Sequence, residues 1–211
     1  MLDAVCSHFP EGAENAEEED VIKVALIGKP NVGKSSLINR ILGEDRLIVS
    51  NIPGTTRDAI DTPFELDGQK YVLIDTAGMR RKSKIKEDIE KYSIIRAVAA
   101  VERCDVAVLV IDAQEGITDQ DTKIAGIAHE RGKAAIIAVN KWDAIEKDDK
   151  TMNKFLKDIS NELAYMAYAP RVFISALTGQ RVIKMLDTVR EVYANNCLRV
   201  STGVLNDVLI E

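Results

Sequence analysis

Apolar residues are arranged along this chain in short continuous runs, and between the runs they recur at helical spacing. The runs cover 21–27, 71–75, 105–111, 134–140 and 171–175, and the helical patterns cover roughly 34–42, 87–103, 119–131, 151–167 and 180–195. A run such as Ala134-Ala135-Ile136-Ile137-Ala138-Val139 has no polar face, as a parallel strand buried on both sides requires. Strands alternating with helices predict an α/β chain built as a doubly wound, mainly parallel sheet. Residues 59–74 depart from the alternation, because two runs flank Asp67-Gly68, which predicts an antiparallel hairpin at one edge. Such sheets bind ligands beyond the carboxyl ends of their strands, so the residues that follow each run carry the chemistry.

After the first run comes Gly28-Lys29-Pro30-Asn31-Val32-Gly33-Lys34-Ser35-Ser36, which matches G-x-x-x-x-G-K-S between a strand and a helix. Glycines let the backbone wrap phosphates with its N–H groups inward, and the helix N-terminus adds favourable potential for an anion. Lys34 is placed for the β- and γ-phosphates and the Ser35 hydroxyl for Mg²⁺. The pattern predicts that a nucleoside triphosphate binds here.

The run 134–139 ends in Asn140-Lys141-Trp142-Asp143. A carboxylate at Asp143 accepts two hydrogen bonds from guanine, from N1–H and the exocyclic amine. Adenine offers neither donor there and would leave the acid unpaired. Lys141 can lie along the base, and Asn140 can tie this loop to the phosphate loop. The strand Tyr71-Val72-Leu73-Ile74 ends in Asp75-Thr76-Ala77-Gly78, where Asp75 is placed to hold Mg²⁺ through water and Gly78 N–H to meet the γ-phosphate. Ser175-Ala176-Leu177 follows Val172-Phe173-Ile174 and can offer backbone N–H groups to guanine O6.

Taken in this order, the motifs G-K-P-N-V-G-K-S, G-T-T-R-D, D-T-A-G-M-R-R-K, N-K-W-D and S-A-L-T-G resemble the Era-like group of GTPases. Within it they are most similar to the Der/EngA family of ribosome-assembly GTPases with tandem G domains. The resemblance covers residues 21 to about 196, and 79–86 looks like the second of the two G domains. It implies a six-stranded Ras-like P-loop sheet with helices on both faces, and GTP hydrolysis in maturation of the large (50S) ribosomal subunit and its rRNA. The site it implies comprises residues 28–36, Thr55, Thr56, Asp75, Thr76, Ala77, Gly78, 140–143 and 175–177. Lys34, Thr56, Gly78 and Asn31 take the catalytic roles, and Ser35, Thr56 and Asp75 hold Mg²⁺. In related K⁺-activated GTPases a cation fills the arginine-finger position, and its ligands map here onto the Asn31 side chain, the Ser50 and Ile52 carbonyls, and Thr55. A bracing role for Asn31 within the loop is the other reading.

Met79 stands where Ras-like enzymes place the glutamine that orients the attacking water, and a thioether cannot do so. Hydrolysis is then either very slow or assisted from elsewhere, K⁺ being the candidate. The five cations Arg80, Arg81, Lys82, Lys84 and Lys86 read either as a solvated loop or as a nucleotide-dependent contact with ribosomal RNA or a neighbouring domain.

Charge divides the chain. Residues 1–20 hold seven acids and no Lys or Arg, while the whole chain is −6, which leaves residues 21–211 at +1. Residues 11–20 read as a flexible acidic linker. Met1-Leu2-Asp3-Ala4-Val5 echoes Met185-Leu186-Asp187-Thr188-Val189 in the last helix, as the end of a preceding domain would. We therefore expect a preceding domain's end and linker in 1–20, the G domain in 21–197, and in 198–211 the start of a KH-like domain that the resemblance places there. At 46% hydrophobic residues, the chain has enough for one good-sized core. The first residues show neither a basic region nor an apolar stretch long enough for a signal peptide, and three scattered cysteines and two histidines suit neither a disulfide framework nor a metal cluster. We expect a cytoplasmic compartment. Two alternatives stay open beside a hydrolysing switch: a low-turnover GTP/GDP sensor that gates its neighbours, and the G domain of a tRNA-modification GTPase.

Overall fold

Strand β1 (Val21–Ile27) lies inside a seven-stranded sheet with parallel neighbours on both sides, β4 (Gln69–Ile74) and β5 (Val106–Asp112). Past β5 come β6 (Ala134–Asn140) and β7 (Arg171–Phe173), also parallel. On the other side β3 (Thr62–Leu66) pairs antiparallel with β4, and β2 (Leu47–Val49) pairs antiparallel with β3, giving the order β2-β3-β4-β1-β5-β6-β7. This computed structural model describes residues 21–44, 47–49, 61–75, 89–146, 148, 150–199 and 203. The expectations for residues 1–20, for Ser50, Ile52, Thr55 and Thr56, for Thr76, Ala77 and Gly78, for residues 79–86 and for 204–211 lie outside those residues.

The doubly wound α/β class and the antiparallel edge are as expected, but the sheet has seven strands rather than six. The extra one is β2. Three residues are too few to display a period, and Ile48 is 66% exposed, so hydrophobicity gave no sign of it. The hairpin does turn on Asp67 and Gly68, at φ 49° and 82°, the left-handed pair that a two-residue type I′ turn uses.

Side-chain parity along the strands divides the core into two layers. Ile22, Val24, Leu26, Val106, Val108, Val110 and Ile136 point to one face. There they meet Leu37, Ile38 and Ile41 of helix α1 (Lys34–Leu42) and Met185, Leu186 and Val189 of α5 (Val182–Asn196). Ala25, Ile27, Ala107, Leu109, Ile111, Ile137 and Val139 point to the other. They pack against α2 (Ile89–Arg103), α3 (Asp119–Glu130) and α4 (Thr151–Glu162). Every residue of β5 and β6 is buried, which is why their runs carry no polar alternation.

The expected helix over 151–167 stops at Glu162. Leu163 leaves the helix at φ −118°, ψ 41°, and a short 3₁₀ turn (Ala164–Met166) follows. This break seats both Leu163 and Met166 in the core with no exposed surface. Among the described residues, no helix is long and apolar enough to cross a membrane.

Candidate functional site

Between β1 and α1 the chain turns through Gly28 at φ 143°, Asn31 at φ 65° and Gly33 at φ 98°. A Cβ on Gly28 would lie 2.4 Å from the Val110 carbonyl oxygen, and one on Gly33 would lie 2.3 Å from Asn140 Nδ2. Both positions therefore need glycine twice over, for conformation and for space. Lys34, at the start of α1, folds back across the loop and donates from Nζ to the carbonyls of Gly28 at 2.7 Å and Lys29 at 2.6 Å. Burial strips water from this ammonium and lowers its pKa to about 8, against a smaller raising effect from Asp121. The result is a tight backbone loop packed against Val110 and Asn140 at its two glycines, with a desolvated cation and a helix N-terminus at its rim.

Lys29 points the other way. Its Nζ lies 2.6 Å from Glu115 and 3.6 Å from Asp121, and within reach of Thr118 Oγ1 at 3.5 Å. Asp121 is fully buried and caps α3 by accepting from Thr118 N–H at 3.0 Å and Thr118 Oγ1–H at 2.7 Å. Burial alone would lower the Lys29 pKa, but the Glu115 hydrogen bond and the Asp121 charge leave it raised. The side chain thus anchors the loop to α3, while the Lys29 carbonyl receives Lys34.

At the end of β6, the buried Asn140 joins three segments. Its Nδ2 donates to the Val32 carbonyl at 2.8 Å, and its Oδ1 accepts from Ala176 N–H at 2.9 Å. Lys141 follows in the left-handed conformation, φ 60°, with Nζ 2.5 Å from Asp112 Oδ2. The backbone N–H of Trp142 donates to the Ile174 carbonyl at 3.1 Å, and its ring is buried between Phe155 and Phe173. Of this residue only the backbone is at the site. Asp143 stands exposed beside it. Ser175 is buried and accepts Thr178 N–H on Oγ at 3.1 Å, and Leu177 is 75% exposed.

Asp75 closes β4, the parallel neighbour of β1, in the left-handed conformation at φ 59°. Its N–H donates to Asp61 Oδ1 at 3.0 Å, and Arg103 forms an ion pair with the other oxygen of Asp61. The loop 28–35, Asp75, 140–143 and 175–177 are thus gathered at the carboxyl edge of the sheet, as the sequence predicts for them.

A family model described as "50S ribosome-binding GTPase" matches residues 23–141, more than half of the chain. The chain belongs to this GTPase family. It is 64% identical over all 211 residues to GTPase Der of Alkaliphilus metalliredigens. The chain spans about half the length of the curated relatives it matches, 48% in each case. Among solved structures, it resembles an Aquifex aeolicus Era variant bound to GDP and AlF₄⁻ at 29% identity and TM-score 0.60, over 81% of this chain and 56% of that one. Era in complex with MgGDPNP and a segment of 16S ribosomal RNA is similar at 27% identity and TM-score 0.60, over 81% and 56% respectively. The Der/EngA resemblance carried by the motifs thus agrees with the relatives found over the whole chain.

GTPase families of this kind use Mg²⁺ with their nucleotide, and the donors suit it. The Ser35 hydroxyl lies on the first turn of α1 and the Asp75 carboxylate at the end of the adjoining strand. Hydrophobic patterning had not pointed to Arg40, Asp61, Asp112, Glu115 or Asp121 as supports of the site. Asp112 ends an apolar strand at the carboxyl edge, which is a legible sign. The others act through contacts between segments far apart in sequence.

Proposed function

We propose that this chain is a G domain that binds GTP and GDP through Gly28–Ser36, Asp75, Asn140–Asp143 and Ser175–Leu177. The observation that carries the reading is the double tether of Asn140, which holds phosphate loop and base loop in one rigid frame. Lys34 would hold the β- and γ-phosphates, and Asp143 would read guanine N1–H and its amine. Bound Mg²⁺, on Ser35, Asp75 and Thr56, would neutralise charge on the phosphate oxygens. The adjoining Thr55, Thr76, Ala77 and Gly78 complete the nucleotide contacts in this proposal.

The same proposal assigns hydrolysis of GTP to GDP and phosphate, stimulated by K⁺ held by Asn31, Ser50, Ile52 and Thr55. Asn31 is exposed on the loop in a left-handed conformation, which supports a side chain turned outward to a cation. In the longer protein we assign the domain a cytoplasmic role in assembly of the large ribosomal subunit. Residues 1–20 would be the end of a preceding domain and a linker, residues 21–197 the G domain, and residues 198–211 the start of a KH-like domain. The description of the matching family supports the large-subunit part of this assignment.

Multiple-turnover GTP hydrolysis in KCl and in NaCl, at matched ionic strength with Mg²⁺, tests the proposal. We expect turnover severalfold faster in K⁺, with the difference lost in Asn31→Ala. Equal rates in both salts would remove K⁺ from the proposal. Negligible turnover in both, with tight GDP binding, would make the domain a sensor awaiting its activator. For the ribosomal role, Arg81→Glu with Lys82→Glu in the full-length protein is expected to weaken large-subunit association while GDP affinity holds.

A further inference from the structure

Arg40 lies in the last turn of α1, six residues after Lys34, and it is only partly exposed. A cation there would ordinarily need no explanation beyond the negative end of the helix. Its guanidinium, however, leaves the helix and meets a segment 136 residues later in the chain. Nε donates to the Ala176 carbonyl at 3.2 Å, and an NH₂ group donates to the Leu177 carbonyl. A Cβ added at Gly179 would lie 3.5 Å from Arg40 Cδ, so the same loop packs along the arginine stem.

Two successive carbonyls in one planar fork fix two successive peptide planes. In a trans peptide the N–H points opposite to the carbonyl, so the N–H groups of Leu177 and Thr178 are held facing away from Arg40. Thr178 N–H indeed meets Ser175 Oγ at 3.1 Å, and the preceding donor, Ala176 N–H, is turned to Asn140. Ser175 N–H and the Gln180 carbonyl close the loop at 3.1 Å, and Gly179 N–H returns to the Ser175 carbonyl at 2.9 Å. The loop is thus a closed turn in which α1 grips the Ala176 and Leu177 carbonyls, Asn140 takes the Ala176 N–H, and the Leu177 N–H faces away from Arg40.

We infer that Arg40 is a positioning residue for base selection: it aims the Leu177 amide at guanine O6. This rests on the guanine reading proposed above. One helix then carries the phosphate lysine at its start and the grip on the base loop at its end, which fixes the spacing of the two subsites. Lysine could not replace this arginine fully, because a single ammonium lacks the planar fork.

The test uses three diphosphates. 6-Thio-GDP keeps N1–H and the exocyclic amine but replaces O6 by a weak acceptor. IDP keeps O6 and N1–H but lacks the amine. The GDP preference over 6-thio-GDP therefore reports the O6 contact, and that over IDP reports Asp143. We expect the unaltered chain to prefer GDP over 6-thio-GDP by about tenfold, the value of one net hydrogen bond. In Arg40→Met this preference should fall to about twofold or less, with the preference over IDP unchanged. Arg40→Lys should fall between the two, and it serves if the methionine variant melts below assay temperature. An unaltered chain with no preference over 6-thio-GDP would overturn the O6 reading of the loop, and this inference with it. A clear preference that survives in both variants would overturn the inference alone. So would an equal loss of both preferences, since that would make Arg40 a general structural support.

Discussion

Asn140 donates from its side-chain amide to the Val32 carbonyl across 108 residues of chain, at 2.8 Å and with almost no exposed surface. The second half of the amide accepts from Ala176, so removing it costs two buried hydrogen bonds. Asn140→Ala is expected to lose about 2–4 kcal/mol of nucleotide affinity, roughly 30- to 1,000-fold in Kd. Asn140→Asp should lose at least as much, because it sets a carboxylate against a carbonyl. Titration with a fluorescent GDP analogue measures both.

Gly33→Ala places a methyl 2.3 Å from that same amide, at a φ of 98° that alanine resists. The clash and the strain act together, and we expect about 1–3 kcal/mol of lost stability and no measurable GDP binding. Gly68→Ala is the control. It has comparable backbone strain, φ 82°, but nothing within 4 Å of the added methyl. That variant should lose about 1 kcal/mol and keep its affinity. Thermal unfolding and GDP titration of the two variants separate backbone strain from collision.

Lys34 should make both stability and binding depend on pH. Its pKa is lowered to about 8 in the folded chain, so between pH 8 and its ordinary value of 10.5 the unfolded chain binds more protons. Stability of the nucleotide-free protein from this residue therefore rises as pH rises through that window. Binding has the opposite sign, because a polyphosphate needs the charged form. GDP affinity should weaken by up to about tenfold per unit above pH 8, with proton uptake on binding. Titration calorimetry at pH 7 to 9 in two buffers of different ionisation heat checks this, and Lys34→Met should show neither effect.

Lys29→Met removes the cation beside a fully buried carboxylate, Asp121. Breaking such a pair costs about 3 kcal/mol, because the remaining charge stays buried. In a domain of this size that corresponds to a fall in Tm of about 6–12 °C. Asp121→Asn keeps an acceptor for the Thr118 N–H at the cap. The double variant should therefore be more stable than the sum of the single changes predicts, as denaturant titration would show.

Much of the site was legible because its chemistry is local. The loop 28–35 needs glycine at 28 and 33, where positive φ coincides with close packing, and Asn140–Asp143 must follow a strand that is buried on both faces. Such requirements are written in consecutive residues. What supports the loops was not legible. Arg40 meets Ala176, Lys29 meets Asp121 and Asp61 meets Asp75, and no periodicity or motif links residues so far apart. The strand β2 was missed for a related reason, since its three residues acquire their role only by pairing with Phe64, Glu65 and Leu66.

By itself, the sequence determined the α/β class, the alternation of strands and helices, and the order of the ligand loops. Hydrophobic period and turn chemistry act over a few residues, and one chain displays them directly. Tertiary structure alone decided the seventh strand, the direction of the Lys29 side chain and the grip of Arg40 on the base loop. It also lowered the pKa of Lys34. These depend on which surfaces are brought together and how far water is excluded, and both arise only when distant segments pack on the two faces of the sheet.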